Sequence, residues 1–342
     1  MPSLSDAFVG ILLSARLSPP LLLKPGSVFF AVVLVCALGV CRSACAQEIE
    51  PDDVVKMRTD MVTVPVVVVD SRGRRVFGLQ QDDFVLRTEG SPQPIAFFVA
   101  GASRVALLFL LDASGSARSY LADQREAALS LVSQFGPQSE VAVVQFSDIT
   151  NVRSQFSKDI QAALKGFDFP ANSGRHTAIF DSAVKALQLL HQRGKDPTER
   201  RIVIVTSDGL DTASKVKASD VIDRARNENV SFYVIQFPLF AVSEGHVKAR
   251  PTSGGFRHLA ERTGGHYFVT RDAAAALAAP SQLDLSAIFK AIAEDLAGQY
   301  LLGFYPDAAF RDGRPHKLQV GLAKTARDVH TKTLRDEFRL AN

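Results

Sequence analysis

Four strongly apolar, strand-like runs, separated by segments with helical periodicity, constrain the fold of this chain more than any other feature. They lie at residues 105–111, 140–146, 201–206 and 230–235. The first reads Val-Ala-Leu-Leu-Phe-Leu-Leu, without the polar alternation of a half-exposed strand, which is typical of a strand buried on both faces of a parallel sheet. Strands that alternate with helices predict an α/β fold with a doubly wound, mostly parallel sheet.

The segments between these runs carry the predicted helices of the α/β domain, which we place at residues 103–298. One helical face runs from Leu121 to Phe135, and a short strand is predicted at 265–269. Further helices are predicted at residues 158–166, 176–192, 217–228, 255–263 and 284–298. A long mixed stretch, 237–255, either shapes the specificity of a neighbouring site or is a disordered connector.

Two β-rich segments flank this domain. Strands are predicted in the N-terminal segment, 54–100, at residues 62–70, 82–87 and 95–99, and in the C-terminal segment, 299–340, at residues 299–306 and 316–322. Each segment is too small to hold a core alone. We therefore expect them to pair into a small β-sandwich-like module into which the α/β domain is inserted.

The N-terminal 46 residues have the features of a signal peptide with an extended n-region. Lys24 precedes the apolar run 27–46, and Ala44-Cys45-Ala46 supplies the small residues of a cleavage site. All three cysteines lie in this stretch, so cleavage after Ala46 would leave a chain without cysteine, suited to an oxidising compartment. We expect a secreted, periplasmic or cell-envelope protein. A retained single-pass anchor is the alternative.

The charge balance argues against two classes of partner. Lysine and arginine total 39 and aspartate and glutamate total 36, which gives a net charge of +3. A nucleic-acid binder or a membrane-surface binder needs a concentrated basic face, which this balance does not favour. We expect no nucleic-acid partner, and membrane association only through an uncleaved N-terminal anchor.

Polar side chains follow the buried strands at three places. Asp112, Ser114 and Ser116 come directly after the first run, Thr177 opens a helix, and Asp208 follows the third. Ligands of doubly wound sheets bind beyond the carboxyl ends of the strands, so we expect these side chains to lie together. Their oxygens suit a hard divalent cation such as Mg²⁺, Mn²⁺ or Ca²⁺ and do not suit zinc. Taken alone, the run after the first strand is equally compatible with a helix cap.

The segments that carry these polar residues do not contain the sequence motifs of common enzyme classes. A haloacid dehalogenase-like site needs a second carboxylate at the position of Ser114, and a serine hydrolase needs Gly-x-Ser-x-Gly around that serine. No Gly-x-Gly-x-x-Gly follows a strand. We therefore expect a protein that is not an enzyme. A metal-dependent hydrolase ranks last, because the pattern supplies no general base beside the ion.

Asp-x-Ser-x-Ser after the first buried strand, a later threonine before a helix and Ser-Asp-Gly after another strand resemble the von Willebrand factor A domain. The resemblance covers roughly residues 103–298, and the flanking segments 66–97 and 299–306 are similar to those of secreted bacterial, often acidobacterial, von Willebrand factor A-related proteins. It implies a Rossmann-like sheet carrying a metal-ion-dependent adhesion site. Ala117 and His176 depart from the usual methionine and glycine, and neither change removes a ligand.

The resemblance also implies a role for each residue of the site. Ser114, Ser116 and Thr177 are expected to bind the metal directly or nearly so, and Asp112 and Asp208 form an acidic pair that acts partly through water. The cofactor is a divalent cation, with Mg²⁺ as the first choice. It would bind a carboxylate of a partner protein. In the alternative, a structural or assembly protein, the metal only stabilises the fold.

Overall fold

The computed structural model describes residues 61–340 apart from 103, 116–120, 169–175, 195, 197, 244, 271–284 and 324–328. The predicted signal peptide and residues 54–60 lie outside this part of the chain. Within it, no helix is both long enough and apolar enough to span a bilayer.

The described residues form sixteen strands and six α-helices, numbered here in chain order. The strands are β1 (Val62–Asp70), β2 (Phe84–Thr88), β3 (Ser91–Gln93), β4 (Phe97–Ala100), β5 (Val105–Asp112), β6 (Glu140–Phe146), β7 (Thr150–Ser157), β8 (Arg200–Ser207), β9 (Val230–Gln236), β10 (Phe240–Ser243), β11 (His246–Ala249), β12 (Tyr267–Val269), β13 (Gln299–Phe304), β14 (His316–Leu322), β15 (Val329–Thr333) and β16 (Glu337–Phe338). The helices are α1 (Leu121–Val132), α2 (Ile160–Leu164), α3 (Ile179–Gln192), α4 (Ala218–Asn227), α5 (Phe256–Glu261) and α6 (Ser286–Ala297).

The central sheet confirms the doubly wound prediction. Its strand order is β12-β9-β8-β5-β6-β7, and every pairing is parallel except that of β7. All eight residues of β5 are buried, with alternate side chains on opposite faces of the sheet. Leu108 and Leu110 pack with α3, α4 and α5, whereas Leu107 and Phe109 pack with α1, α2 and α6. Residues 105–111 of β5 are all apolar because helices cover both faces of the sheet.

The flanking segments form two antiparallel sheets, as the fold prediction required. Their strand orders are β15-β1-β13-β4 and β16-β14-β2-β3, so each sheet contains strands from both ends of the described chain. Val64 of β1 lies opposite Leu302 of β13, and both share one core with Leu86 of β2 and Leu318 of β14. The side chains between the two sheets thus make the core that neither segment could make alone.

The structure contains three flanking strands that were not predicted, β3, β15 and β16, and it differs from the sequence prediction in three local details of the α/β domain. β7 was not predicted, because its alternating pattern is only partly buried at the edge of the sheet. The predicted helix 158–166 is reduced to α2 and a following 3₁₀ turn. The stretch 237–255 is not a disordered connector, since β10 and β11 pair within it as an antiparallel hairpin.

Candidate metal centre

Four of the five predicted ligands lie at the carboxyl edge of the central sheet or in the loops beside it. Asp112 is the last residue of β5 and Asp208 directly follows β8, its parallel neighbour, in which Thr206 pairs with Leu111. Ser114 is two residues beyond Asp112, and Thr177 comes two residues before α3. Ser116 lies outside the described residues. All four described side chains belong to buried residues.

Asp112 is fully buried and accepts hydrogen bonds from Ser114 and Ser207. Its Oδ1 accepts from the backbone N–H of Ser114 at 2.9 Å, and its Oδ2 accepts from the Ser207 hydroxyl at 2.5 Å. Burial raises the pKa of Asp112 to about 6, with a smaller contribution from the Asp208 carboxylate, while the bonds from Ser114 and Ser207 act in the opposite direction. The site therefore contains a carboxylate whose negative charge would be stabilised by a cation.

The loop that carries Asp208 depends on a glycine. Oδ1 of Asp208 accepts from the backbone N–H of Leu210 at 2.9 Å. Gly209 has a φ of +84°, and a side chain there would overlap the side chains of Thr252 and Phe256. Its N–H donates to the Ser207 hydroxyl at 3.1 Å. Glycine thus allows the turn that brings Asp208 back against the edge of the sheet.

The segment before α3 is fastened to the loop after β8 through Thr177. The backbone N–H of Thr177 donates to the Thr212 hydroxyl at 2.9 Å, and the Thr177 carbonyl accepts from the Thr212 N–H at 2.8 Å. Asp211 Oδ2 accepts from the N–H of Phe180, and Asp181 Oδ1 accepts from the N–H of Lys215 at 3.0 Å. Asp181 and Asp211 therefore join the two loops.

Some of the residues that hold the site were not identified from the sequence. Ser207 is only the first residue of the Ser-Asp-Gly run in the sequence, yet its hydroxyl bridges Asp112 and Gly209. Ser253, far along the chain, accepts from the Asp211 N–H at 2.8 Å and donates its own N–H to the Gly209 carbonyl at 2.8 Å. Serine is common in loops, so no sequence signal separates these two from any other loop serine.

The donor set fits a hard divalent cation. Within the described residues, no group of three or more His, Cys, Asp or Glu side chains comes together in the manner of a metal site. A cation at this edge would therefore depend on hydroxyl oxygens as well as on the two carboxylates, the chemistry that Mg²⁺ and Ca²⁺ accept. The metal and its five ligands remain a prediction.

Comparison with known proteins identifies the family. The model of the von Willebrand factor type A domain matches residues 106–282, so the chain belongs to this family. Domains of this family are typically protein-interaction modules, commonly with a divalent cation at a metal-ion-dependent adhesion site (MIDAS). A search of curated proteins found no match.

Several solved structures resemble the chain at low identity. BatB from Bacteroides thetaiotaomicron, a conserved hypothetical protein, is 17% identical with a TM-score of 0.39, covering 56% of this chain and 97% of that one. A von Willebrand factor type A protein from Catenulispora acidiphila is 14% identical with a TM-score of 0.44, covering 82% and 73%. Proximal thread matrix protein 1 from the mussel byssus, with a zinc-occupied MIDAS motif, is 19% identical with a TM-score of 0.43, covering 60% and 48%. The match thus spans about half the length of the mussel protein.

Proposed function

We propose that this protein binds a divalent cation and, through it, an acidic residue of a partner protein. The proposed ligands are Asp112, Ser114, Ser116, Thr177 and Asp208, with Mg²⁺ as the preferred cation and Mn²⁺ or Ca²⁺ as alternatives. The observation that carries the proposal is the gathering of four buried, oxygen-bearing residues at one sheet edge. When bound, the cation would supply an open coordination position for a carboxylate from outside the chain.

The charge of the ligand set favours recognition over catalysis. Of the five proposed ligands, two are carboxylates and three are neutral hydroxyls. Asp112 and Asp208 are already fastened by backbone N–H groups of their own loops, at 2.9 Å in each case. These contacts position ligand oxygens, so we assign the residues no catalytic step. Together with the predicted signal peptide, this supports a secreted or envelope-associated binding protein.

A second function, stabilisation of the fold or assembly by the metal alone, has one observation in its favour. The Asp208 carboxylate contributes to the raised pKa of Asp112, so the two like charges repel each other in the folded chain. A cation would relieve this repulsion without any partner. Partner binding that resists a chelator would support this alternative.

Metal binding can be tested by thermal unfolding. Magnesium at about 100 times its dissociation constant stabilises the folded state by about 2.7 kcal/mol. For a domain of this size, that corresponds to a rise in Tm of about 5–10 °C. We expect the rise in the wild type and its loss in Asp112→Ala and Asp208→Ala, because each removes one carboxylate of the site.

The control for this measurement is Asp223→Ala, which removes an exposed carboxylate from α4. It should respond to magnesium as the wild type does, and circular dichroism should show that all three variants are folded. If magnesium raises the Tm of Asp112→Ala and Asp208→Ala as much as that of the wild type, the site is assigned to the wrong residues.

The hairpin of β10 and β11 lies next to the proposed site and offers a surface for the partner. Three residues separate it from the end of β9. At the base of the hairpin, the N–H of Arg250 donates to the Leu239 carbonyl at 2.7 Å. The following Ser253 bonds to the loop that carries Asp208. Val242 on the hairpin is 76% exposed. We propose that this hairpin contacts the partner beside the bound carboxylate.

A peptide-binding experiment tests the hairpin and the carboxylate together. The probe is an array of short peptides that contain aspartate or glutamate, with asparagine and glutamine versions as controls. We expect binding in Mg²⁺ that is lost with a chelator, and a weakening of about tenfold in Val242→Asp without change in the Mg²⁺-dependent Tm. Binding that is equal for the acidic and amide peptides would contradict a carboxylate ligand.

A further inference from the structure

A small cavity lies at the end of the central sheet opposite the proposed metal site. Arg200 is the first residue of β8 and Ser207 is the last. Because an extended strand rises by about 3.3 Å per residue, the two ends of β8 are about 23 Å apart. The cavity lies between the start of β8 and the flanking strands β1 and β13. It has about 20 Å³, about the room of one water molecule or one monatomic ion. The residues that line it are Thr63, Pro65, Glu199, Arg200, Arg201, Ile202, Asn229, Ser231, Leu296, Gln299 and Leu301.

Arg200 stands out on this wall because none of its side-chain nitrogens has a partner in the described part of the chain, whereas Nη2 of the neighbouring Arg201 donates to the Leu190 carbonyl at 2.6 Å. The residue is 6% exposed, and its Nε, Nη1 and Nη2 are all buried. None of the three nitrogens has a hydrogen-bond partner among the described residues, and no carboxylate of that part of the chain forms an ion pair with it. An arginine has five N–H donors, and a buried charge without a partner is costly.

The acidic groups near Arg200 are already matched by other arginines. Glu199 is held by Arg193 through both carboxylate oxygens and also pairs with Arg104 at 3.5 Å. Asp295, which accepts a hydrogen bond from the Tyr233 hydroxyl at 2.6 Å, is paired with Arg75. Within the part of the chain that the structure describes, these pairings leave the positive charge of Arg200 without a carboxylate partner.

Neutral donors on the same wall could complete an anion site. The Thr63 hydroxyl accepts from the Asn229 amide at 3.3 Å, so its own proton is available to donate. Ser231 adds a second hydroxyl. Burial lowers the pKa of Arg200 to about 10, which leaves the guanidinium charged at neutral pH. A charged guanidinium with hydroxyl donors is the chemistry that receives an anion.

We propose that this cavity binds one chloride ion, with the guanidinium of Arg200 as its main partner and the hydroxyls of Thr63 and Ser231 as additional donors. The volume favours a monatomic anion over phosphate or a carboxylate. Since β1 and β13 belong to a flanking sheet and β8 to the central sheet, the ion stabilises the contact between them. The bound chloride therefore raises the stability of the whole described fold.

A halide titration at constant ionic strength tests the proposal on the full chain. We expect the Tm of the wild type to rise by about 2–4 °C when sodium gluconate is replaced by sodium chloride up to 0.5 M, with saturation, because gluconate is too large for the cavity. Arg200→Met should lose this dependence. It should still fold, because replacing a buried charge by an apolar side chain of similar length is often tolerated.

The matched control is Arg153→Met, which removes an exposed arginine from β7 and should respond to chloride as the wild type does. A crystal soaked in bromide should show an anomalous peak beside the Arg200 guanidinium. A wild-type Tm that is equal in chloride and gluconate overturns the proposal, even if Arg200→Met does not fold. Chloride dependence that persists in a folded Arg200→Met also overturns it.

Discussion

Replacing Asp295 by alanine is expected to lower the free energy of unfolding by about 3–5 kcal/mol, because it removes one partner of a buried ion pair. Asp295 lies on α6 and its side chain is only 6% exposed. One carboxylate oxygen pairs with Arg75, and the other accepts from the Tyr233 hydroxyl at 2.6 Å and the Gln299 amide at 2.9 Å. Alanine would leave the Tyr233 hydroxyl without its acceptor and Arg75 without its carboxylate partner, while the Gln299 amide would keep only the Tyr233 hydroxyl, at 3.2 Å.

The adjacent residue supplies the control for this prediction. Glu294→Ala removes a side chain that is 67% exposed and pairs with the exposed Lys290 at 3.9 Å, so a change within about 0.5 kcal/mol is expected. Urea unfolding followed by circular dichroism gives both values. If Asp295→Ala costs no more than Glu294→Ala, the buried pair with Arg75 does not stabilise the fold. A double-mutant cycle with Arg75→Met would then show no coupling.

Asp295 also illustrates what sequence reasoning cannot recover. In the run Ala-Glu-Asp-Leu-Ala, residues 294 and 295 are adjacent acidic residues on a helix, and the local pattern gives no reason to expect that either is buried. The burial of Asp295 follows from its position against Tyr233 of β9 and Arg75 of the N-terminal segment. Those partners are 62 and 220 residues away along the chain. No local pattern contains such a contact.

The central strands could be predicted because their environment imposes a pattern on each of them separately. β5 and β8 are buried at every residue, and their sequences are apolar or weakly polar except at their ends, where Arg200 and Arg201 begin β8 and Asp112 ends β5. β7 was missed for the opposite reason. At the edge of the sheet only alternate residues are partly buried, and Thr-Asn-Val-Arg-Ser-Gln-Phe-Ser is compatible with a polar loop.

The position of two proposed ligands could be predicted from the sequence, whereas the contacts that hold them could not. Asp112 and Asp208 could be placed at one sheet edge because the carboxyl ends of parallel strands meet there. The bridge from the Ser207 hydroxyl to Asp112 depends on the side-chain direction at the end of β8, which the sequence alone does not specify. The contribution of Ser253 depends on the path of the chain after the β10–β11 hairpin. The strand pattern is therefore enough to place these two carboxylates at one edge, whereas the contacts that hold them depend on the tertiary structure.

Phe109→Ala is expected to cost about 3–5 kcal/mol of unfolding free energy, because it removes a fully buried aromatic ring from the middle of β5. The ring lies 5.2 Å from Phe167 and 6.3 Å from Phe289, measured between centroids. The Phe109 ring therefore packs the sheet against α6 and against the 3₁₀ turn that follows α2. A cavity at this place has packed strands and helices on all sides, so it can collapse only in part.

The exposed Phe77 provides the matched control for the loss of a ring. It is 60% exposed, so Phe77→Ala should change the free energy of unfolding by about 0.5 kcal/mol or less. Urea unfolding of the two variants separates the effect of burial from that of a missing aromatic ring. Equal losses would show that Phe109 does not act through core packing.

The same variant separates the core from the proposed metal site. Phe109 is three residues before Asp112, yet Asp112 is held by its own hydrogen bonds from the Ser114 N–H and the Ser207 hydroxyl. We therefore expect Phe109→Ala to unfold at a lower temperature but to keep the full rise in Tm with magnesium. Loss of that response in a folded Phe109→Ala would mean that core packing, and not the loops after β5 and β8, sets the ligand positions.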